Sequence, residues 1–212
     1  MPNYCGNTLT ITHEDPTMIV RAKAAFAEGR FLDEFIPVPE DLKIVAGSVG
    51  DPDEQAKLEA QTKANVERHG YGNWYDWCVN EWGTKWDVGD GNGIQTWDDH
   101  ELVVYFDSAW SPPISAYEKL EDLGFKVNAT YYEGGCAFCG TYEDGYNDHY
   151  DLGDMSAEEV ANTIPKELDE SFGISEVMLE YEAEQQDEVT TWYKDGVEET
   201  GLEPHKVKKE TK

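Results

Sequence analysis

Four groups of residues have types and spacing that could do chemistry. Cys136-Ala137-Phe138-Cys139 is a CxxC, the spacing of redox dithiols and of half a zinc site. No second CxxC or closely spaced His pair completes a four-ligand zinc set. A redox CxxC opens a helix after a strand, whereas glycines and strand-forming residues flank this pair, so both thiols read as structural. Asp98-Asp99-His100-Glu101 is the densest titratable cluster, and a metal could sit there. A solvated turn ahead of a strand accounts for it more simply. Asp90-Gly91-Asn92-Gly93 is superficially like a calcium loop but lacks the glycine spacing and terminal Glu of an EF-hand, and reads as a turn. Finally, Asp107 and Trp110 beside Ser111-Pro112-Pro113 could line a pocket or contact surface with Trp74 and Trp77. The bland reading makes Asp107 a cap at a strand-to-helix corner. No Gly-rich phosphate loop or nucleophile elbow occurs, and the five histidines are scattered. These residues predict no catalytic centre, no metal and no cofactor.

The elements that must position these side chains centre on Asn73–Asp87, where Trp74, Trp77, Trp82 and Trp86 crowd together. Trp74, Trp77, Cys78 and Trp82 fit one helix face, and Gly83 stands where a helix stop tolerates positive φ. Thr84, Trp86 and Val88 then alternate with Lys85 and Asp87, which predicts a strand with Trp86 inward and Trp74 or Trp77 partly exposed.

Earlier in the chain, Thr8–Thr12 alternates as a first strand, and Asp15-Pro16 starts a helix that stops at Gly29. Phe31–Pro39 reads as an apolar extended segment lying across the core, because two prolines forbid a central strand. Residues 53–68 predict a polar, exposed helical insertion, and residues 89–100 a Gly/Asp-rich loop. Leu102–Phe106 is the strongest strand candidate, followed by a helix carrying Ile114, Tyr117, Leu120 and Leu123. Phe125–Glu133, Cys136–Glu143 and a short run to Tyr150 predict three more strands, the last two joined at Asp144-Gly145. From Asp154 the composition shifts. Ser156-x-x-Glu159 is a capping box, and Pro165 and Gly173 divide the helix that follows. Ile174–Tyr181 fits a helix; a strand also fits, but Glu, Ala, Gln and Met favour helix. Thr190–Glu199 reads as a hairpin about Asp195-Gly196, ahead of a basic tail ending at Lys212. The expected divisions are 1–152 with its insertion around 53–82, then 153–188, then 189–212.

No apolar run approaches the ~20 residues of a bilayer span, so no membrane association is expected. The N-terminus shows no secretory signal, which predicts a cytoplasmic protein with reduced thiols. The net charge of −29 is the outlying property. Spread over roughly 10,000 Å² of surface, it reaches only about a third of the charge density of duplex DNA. Clustering changes that. Between Asp154 and Glu188 twelve acids, among them Glu158, Glu159, Glu167, Asp169, Glu170, Glu176, Glu180 and Glu184, oppose Lys166 alone. On a helix that is one acid per ~4 Å, close to the ~3.4 Å between phosphates of a DNA strand.

The order strand, helix, insertion, strand, strand, helix, strand is the split βαβ, or ferredoxin-like, pattern. The chain is therefore expected to be α+β: an antiparallel sheet with helices on one face, extra hairpin strands and an acidic, mainly helical C-terminal extension. Three segments also resemble the YubB-like proteins of phages and conjugative plasmids. They are Met1–Leu9, Asn73–Cys78 with Trp82–Trp86, and Phe106–Pro113, which together anchor roughly residues 1–150. The resemblance implies a ferredoxin-like domain and a mobile-element origin; it supplies no catalytic residues. Direct nucleic-acid binding needs a cationic groove that this chain lacks. The expectation is a non-enzymatic protein whose partner is a host nucleic-acid-binding protein. Its acidic face would imitate nucleic acid and inhibit restriction or CRISPR-type defence. A small-ligand binder using the tryptophans, or an acidic interaction module without mimicry, are the alternatives.

Overall fold

The computed structural model describes residues 3–187, 190–194 and 197–201, and the chain divides into two units between Gly153 and Asp154. The first unit runs β1 (Tyr4–Thr12), α1 (Pro16–Ala27), α2 (Phe31–Phe35), α3 (Pro52–His69), α4 (Trp74–Glu81), β2 (Ile94–Trp97), β3 (Glu101–Ala109), α5 (Ile114–Asp122), β4 (Lys126–Glu133), β5 (Phe138–Glu143) and β6 (Tyr146–Asp151). It is an α+β unit built on an open, wholly antiparallel six-stranded sheet, in the order β2-β3-β1-β4-β5-β6.

Period-2 alternation explains the sheet's two faces. On β1, Cys5, Asn7, Leu9 and Ile11 are buried, and their register partners on β3 and β4 include Val104, Phe106, Val127 and Ala129. Ile19, Ala22 and Phe26 of α1 and Ala116, Tyr117 and Leu120 of α5 belong to the same core. Thr8, Thr10 and Thr12 stand on the opposite face, in register with Tyr105, Val103 and Glu101. The turns follow local chemistry. Asp15 caps α1 ahead of Pro16, Asp51 caps α3 ahead of Pro52, and Asn73 accepts from the Tyr75 and Asp76 amides to cap α4. The α3 helix has a weak apolar stripe and buries only Asn65, whose amide donates to the Asp41 and Gly72 carbonyls.

Three expectations need correction. Phe31–Phe35 is a short helix rather than extended chain, with the Asp87 carboxylate accepting from the Leu32 and Asp33 amides at its start. Residues 89–100 contain β2, which pairs with β3 through an irregular register. Residues 84–88 form no strand. Thr84 and Val88 are buried, but Trp86 lies 41% exposed, because Asp87 turns inward to satisfy α2 and the alternation breaks.

The second unit contains α6 (Ala157–Thr163), α7 (Lys166–Phe172), α8 (Ile174–Asp187) and a hairpin of β7 (Thr190–Lys194) with β8 (Val197–Gly201). Ser156 and Glu159 make the reciprocal capping box, and Ile174–Tyr181 is helix. Gly173 ends α7 in the left-handed region, and α6 packs back onto α8. The acidic segment is thus three short helices and not one rod. The turn expected at Asp195-Gly196 and the basic tail from Lys206 lie outside the described residues.

Candidate functional site

A set of hydrogen bonds between two irregular segments assembles the most distinctive surface feature. Gly83, at φ +85, follows α4, and a Cβ there would come within 3.1 Å of the Ile114 nitrogen. The Ser111 hydroxyl donates to the Gly83 carbonyl at 2.6 Å. Thr84 Oγ1 donates to the Ala109 carbonyl at 3.1 Å and accepts from the Ala109 amide at 3.0 Å. Three residues on, Asp87 accepts from Leu32, Asp33 and Val88 amides at 2.7, 2.9 and 2.8 Å. Burial pushes this carboxyl's pKa up, against the lowering effect of those amides. Residues 85 and 86 are therefore held between two fixed points with their side chains free to face outward.

Across the seam, Trp110 sits at φ +68, a left-handed backbone that a bulky aromatic rarely adopts. It is pinned on every side. Its amide donates to the Asn3 carbonyl at 3.0 Å, and Ser108 Oγ donates to the Ser111 carbonyl at 2.8 Å. Beneath, buried Asn7 donates to Ser108 Oγ at 2.8 Å and to the Cys5 carbonyl at 2.7 Å, while Tyr117 donates to Asn7 Oδ1 at 3.3 Å. Such a network fixes the corner geometry and leaves the Trp110 ring 43% exposed.

The result is an aromatic cluster around a cation. The Lys85 ammonium lies 4.5 Å from the Trp86 ring centroid, 5.2 Å from Trp110 and 5.4 Å from Tyr75. All three distances fall within the reach of a cation–π contact. Of the residues singled out in the sequence, Trp110 belongs here. Trp77 is core, meeting Trp82 edge-to-face at 5.6 Å, and Trp74 is half-buried against Tyr75. Asp107 is exposed on the sheet, accepting from the Tyr105 hydroxyl at 3.4 Å; it does not cap the turn after β3, where Ser108 and Thr84 make the bonds. Tyr75, Lys85 and Trp86 escaped the sequence reading because a strand at 84–88 would have put Trp86 inside.

The remaining candidates lie apart from this cluster. Cys136 is exposed and Cys139 buried, so the CxxC does not present two thiols side by side to solvent. Burial pushes Cys5 and Cys78 up to about 12, which leaves both as thiols at neutral pH. A concavity of about 580 Å³ is lined by His13, Glu14, Asp98, His100, Glu101 and Lys126. There Asp98 accepts from the His100 and Glu101 amides at 2.7 and 2.8 Å, and His13 Nδ1 accepts from the Asp15 amide at 2.9 Å. These are turn-forming bonds. Among the described residues no group of three or more His, Cys, Asp or Glu side chains is arranged to hold a metal, and no helix is long and apolar enough to cross a membrane.

In the second unit, Glu158, Glu167, Glu176, Glu180 and Glu184 are exposed. The other three predicted acids have local work. Glu159 completes the capping box, Asp169 accepts from the Ser175 amide and hydroxyl, and Glu170 pairs with Lys166 at 2.8 Å. Val177, Leu179 and Tyr181 stand exposed among the α8 glutamates.

Neither a protein-family model nor a curated protein sequence matches the chain. A solved structure that it resembles is protein api92 from Yersinia pseudotuberculosis, assigned to family DUF1281, at 12% identity and a TM-score of 0.37. The alignment covers 72% of this chain and 99% of that one. A likeness at that level carries no argument about the site.

Proposed function

We propose that this chain is a non-enzymatic accessory protein of a phage or plasmid, YubB-like, which acts in the host cytoplasm by binding a basic, nucleic-acid-handling host protein. The observation that carries the reading is the unpaired acidity of the second unit. Glu158, Glu167, Glu176, Glu180 and Glu184 are exposed and form no ion pair among the described residues, where Lys166–Glu170 is that unit's salt bridge. Unneutralised carboxylates at this density attract a basic groove as phosphates do, and salt weakens the attraction. Because α6 packs back on α8, the resemblance to nucleic acid is one of local charge rather than of a continuous helical track. Inhibition of restriction or CRISPR-type defence fits such a partner. For the first unit we infer a ferredoxin-like split βαβ core extended by β5 and β6. The strand order β2-β3-β1-β4, with α1 following β1 and α5 joining β3 to β4, supports it.

The test is capture from host lysate at low and high salt, with wild type and a variant carrying Gln at positions 158, 167, 176, 180 and 184. Wild type is expected to retain a DNA- or RNA-handling protein at low salt, lose it at high salt or with duplex DNA as competitor, and the variant to retain none. Capture confined to salt-insensitive partners overturns the proposal.

A further inference from the structure

We propose that Tyr75, Trp86 and Trp110 form a docking site for a guanidinium group presented by a protein partner, and that Lys85 fills it in the unbound protein. This deepens the reading above, since it rests on a cationic protein partner, but it concerns a different surface and different residues.

The occupant's chemistry follows from what already sits there. Lys85 lies 4.5 to 5.4 Å from three ring centroids, yet in a chain with 45 acids it forms no ion pair among the described residues. The rings, not a carboxylate, hold its charge. A guanidinium fits the same cluster better than an ammonium does. It is planar, less strongly hydrated and stacks on aromatic faces, whereas an ammonium keeps more of its affinity for water. An incoming arginine would repel Lys85, whose flexible stem can carry the ammonium into solvent. Trp, Tyr and Arg are also the residues that dominate binding energy at protein interfaces.

Accessibility and rigidity point the same way. Trp86 and Trp110 are 41% and 43% exposed, while Trp77 and Trp82 are buried. The backbone at Trp110 has φ +68 and is restrained by bonds from Asn3, Ser108 and Ser111 to itself and its neighbours. A strained residue held by its surroundings presents a ring at fixed height, which a core-filling role would not require. A nucleotide could stack on the same rings, but its phosphate would meet the field of a chain with net charge −29.

The test is an NMR titration of the tryptophan indole N–H signals with N-acetyl-arginine amide, N-acetyl-norleucine amide and AMP. Arginine amide is expected to shift the Trp86 and Trp110 signals and leave Trp82, whose Nε1 donates to the Ile36 carbonyl at 2.9 Å, unmoved. Lys85→Ala should tighten arginine binding about two- to fivefold, the scale of one exposed cation–π contact. Trp110→Gly should abolish the Trp86 shift in a folded protein; Trp86→Leu is the second variant should that one not fold. Equal shifts from norleucine, a response to AMP in place of arginine, or Lys85→Ala binding no tighter overturns the proposal. The titration repeated on the five-glutamine variant separates the two readings. An intact arginine response without salt-dependent capture sinks only the acidic-face proposal, and the converse sinks only this one.

Discussion

Thr84 and Ala109 exchange hydrogen bonds in both directions, hydroxyl to carbonyl at 3.1 Å and amide to hydroxyl at 3.0 Å. This single side chain satisfies both backbone groups of the residue preceding Trp110, at the end of β3, where Tyr4 of β1 is still in register but β2, last paired at Val104, no longer runs alongside. It also brings Lys85 beside Trp110. Thr84→Val keeps the shape and removes the hydroxyl, so it strands a buried N–H and a buried C=O. The expected cost is about 2 kcal/mol of unfolding free energy, with Thr84→Ser recovering most of it. Urea denaturation of the three proteins checks this, and equal midpoints for Thr and Val would mean that the staple is idle.

Trp110 offers a test of backbone strain that does not depend on what the ring binds. A non-glycine residue in the left-handed region costs roughly 1–2 kcal/mol, and glycine escapes it. Trp110→Gly and Trp110→Ala delete almost the same contacts. The glycine variant should therefore be the more stable by about 1 kcal/mol, the reverse of the order expected in a strand or helix. A calorimetric comparison in which alanine equals or exceeds glycine would remove strain from the account of this corner.

Gly140 shows a close approach instead. It faces Tyr131 across the β4–β5 ladder, and an added Cβ would meet the Tyr131 hydroxyl and the Asp148 carbonyl, each at 2.3 Å. The ring lies over the glycine and its hydroxyl reaches Asn147 at 2.8 Å. Gly140→Ala should displace both and cost about 2 kcal/mol or more. Thermal melts report it, and adding Tyr131→Phe to Gly140→Ala should recover little of the loss, because the ring carbon Cζ that phenylalanine keeps would still stand 2.4 Å from the added Cβ.

How much of this was legible in the sequence follows from which forces are local. Period-2 alternation at Leu9/Ile11 and Val127/Ala129/Tyr131 declared the core strands because burial of one sheet face acts residue by residue. The capping box at Ser156 and the break at Gly173 were equally readable, each being a property of a few adjacent residues. Thr84–Val88 was misread because it has strand periodicity but spends its polar groups elsewhere. Thr84 serves Ala109, 25 residues on, and Asp87 serves Leu32, 55 residues back. For the same reason Tyr75, Lys85 and Trp86 could not be joined to Trp110 from spacing. The acids were visible in the sequence, and the capping role of Glu159 with them, but the bonds that occupy Asp169 and Glu170 and leave the other five exposed emerged only in the folded helices.

The pair Glu81–Lys119 ties α4 to α5 and sets a pH dependence. Lys119 Nζ donates to the Glu81 carboxylate and, at 2.8 Å, to its carbonyl, and the Tyr71 hydroxyl donates to the same carboxylate at 2.6 Å. Hydrogen bonding by Lys119, then by Tyr71, holds the Glu81 carboxyl below its usual range. A depressed carboxyl pKa means that the unfolded chain binds the proton more readily than the folded one. The stabilisation is therefore complete above the unfolded value of about 4.3 and disappears as pH falls through the lower folded value. Both side chains are about one-third exposed, and solvent screening reduces the contribution to about 1 kcal/mol. Glu81→Gln should thus lower stability by about that amount at neutral pH and match wild type once the pH lies below the folded value. Denaturation midpoints for the two proteins from neutral pH downward check the sign, and a gap that widens on acidification would contradict it.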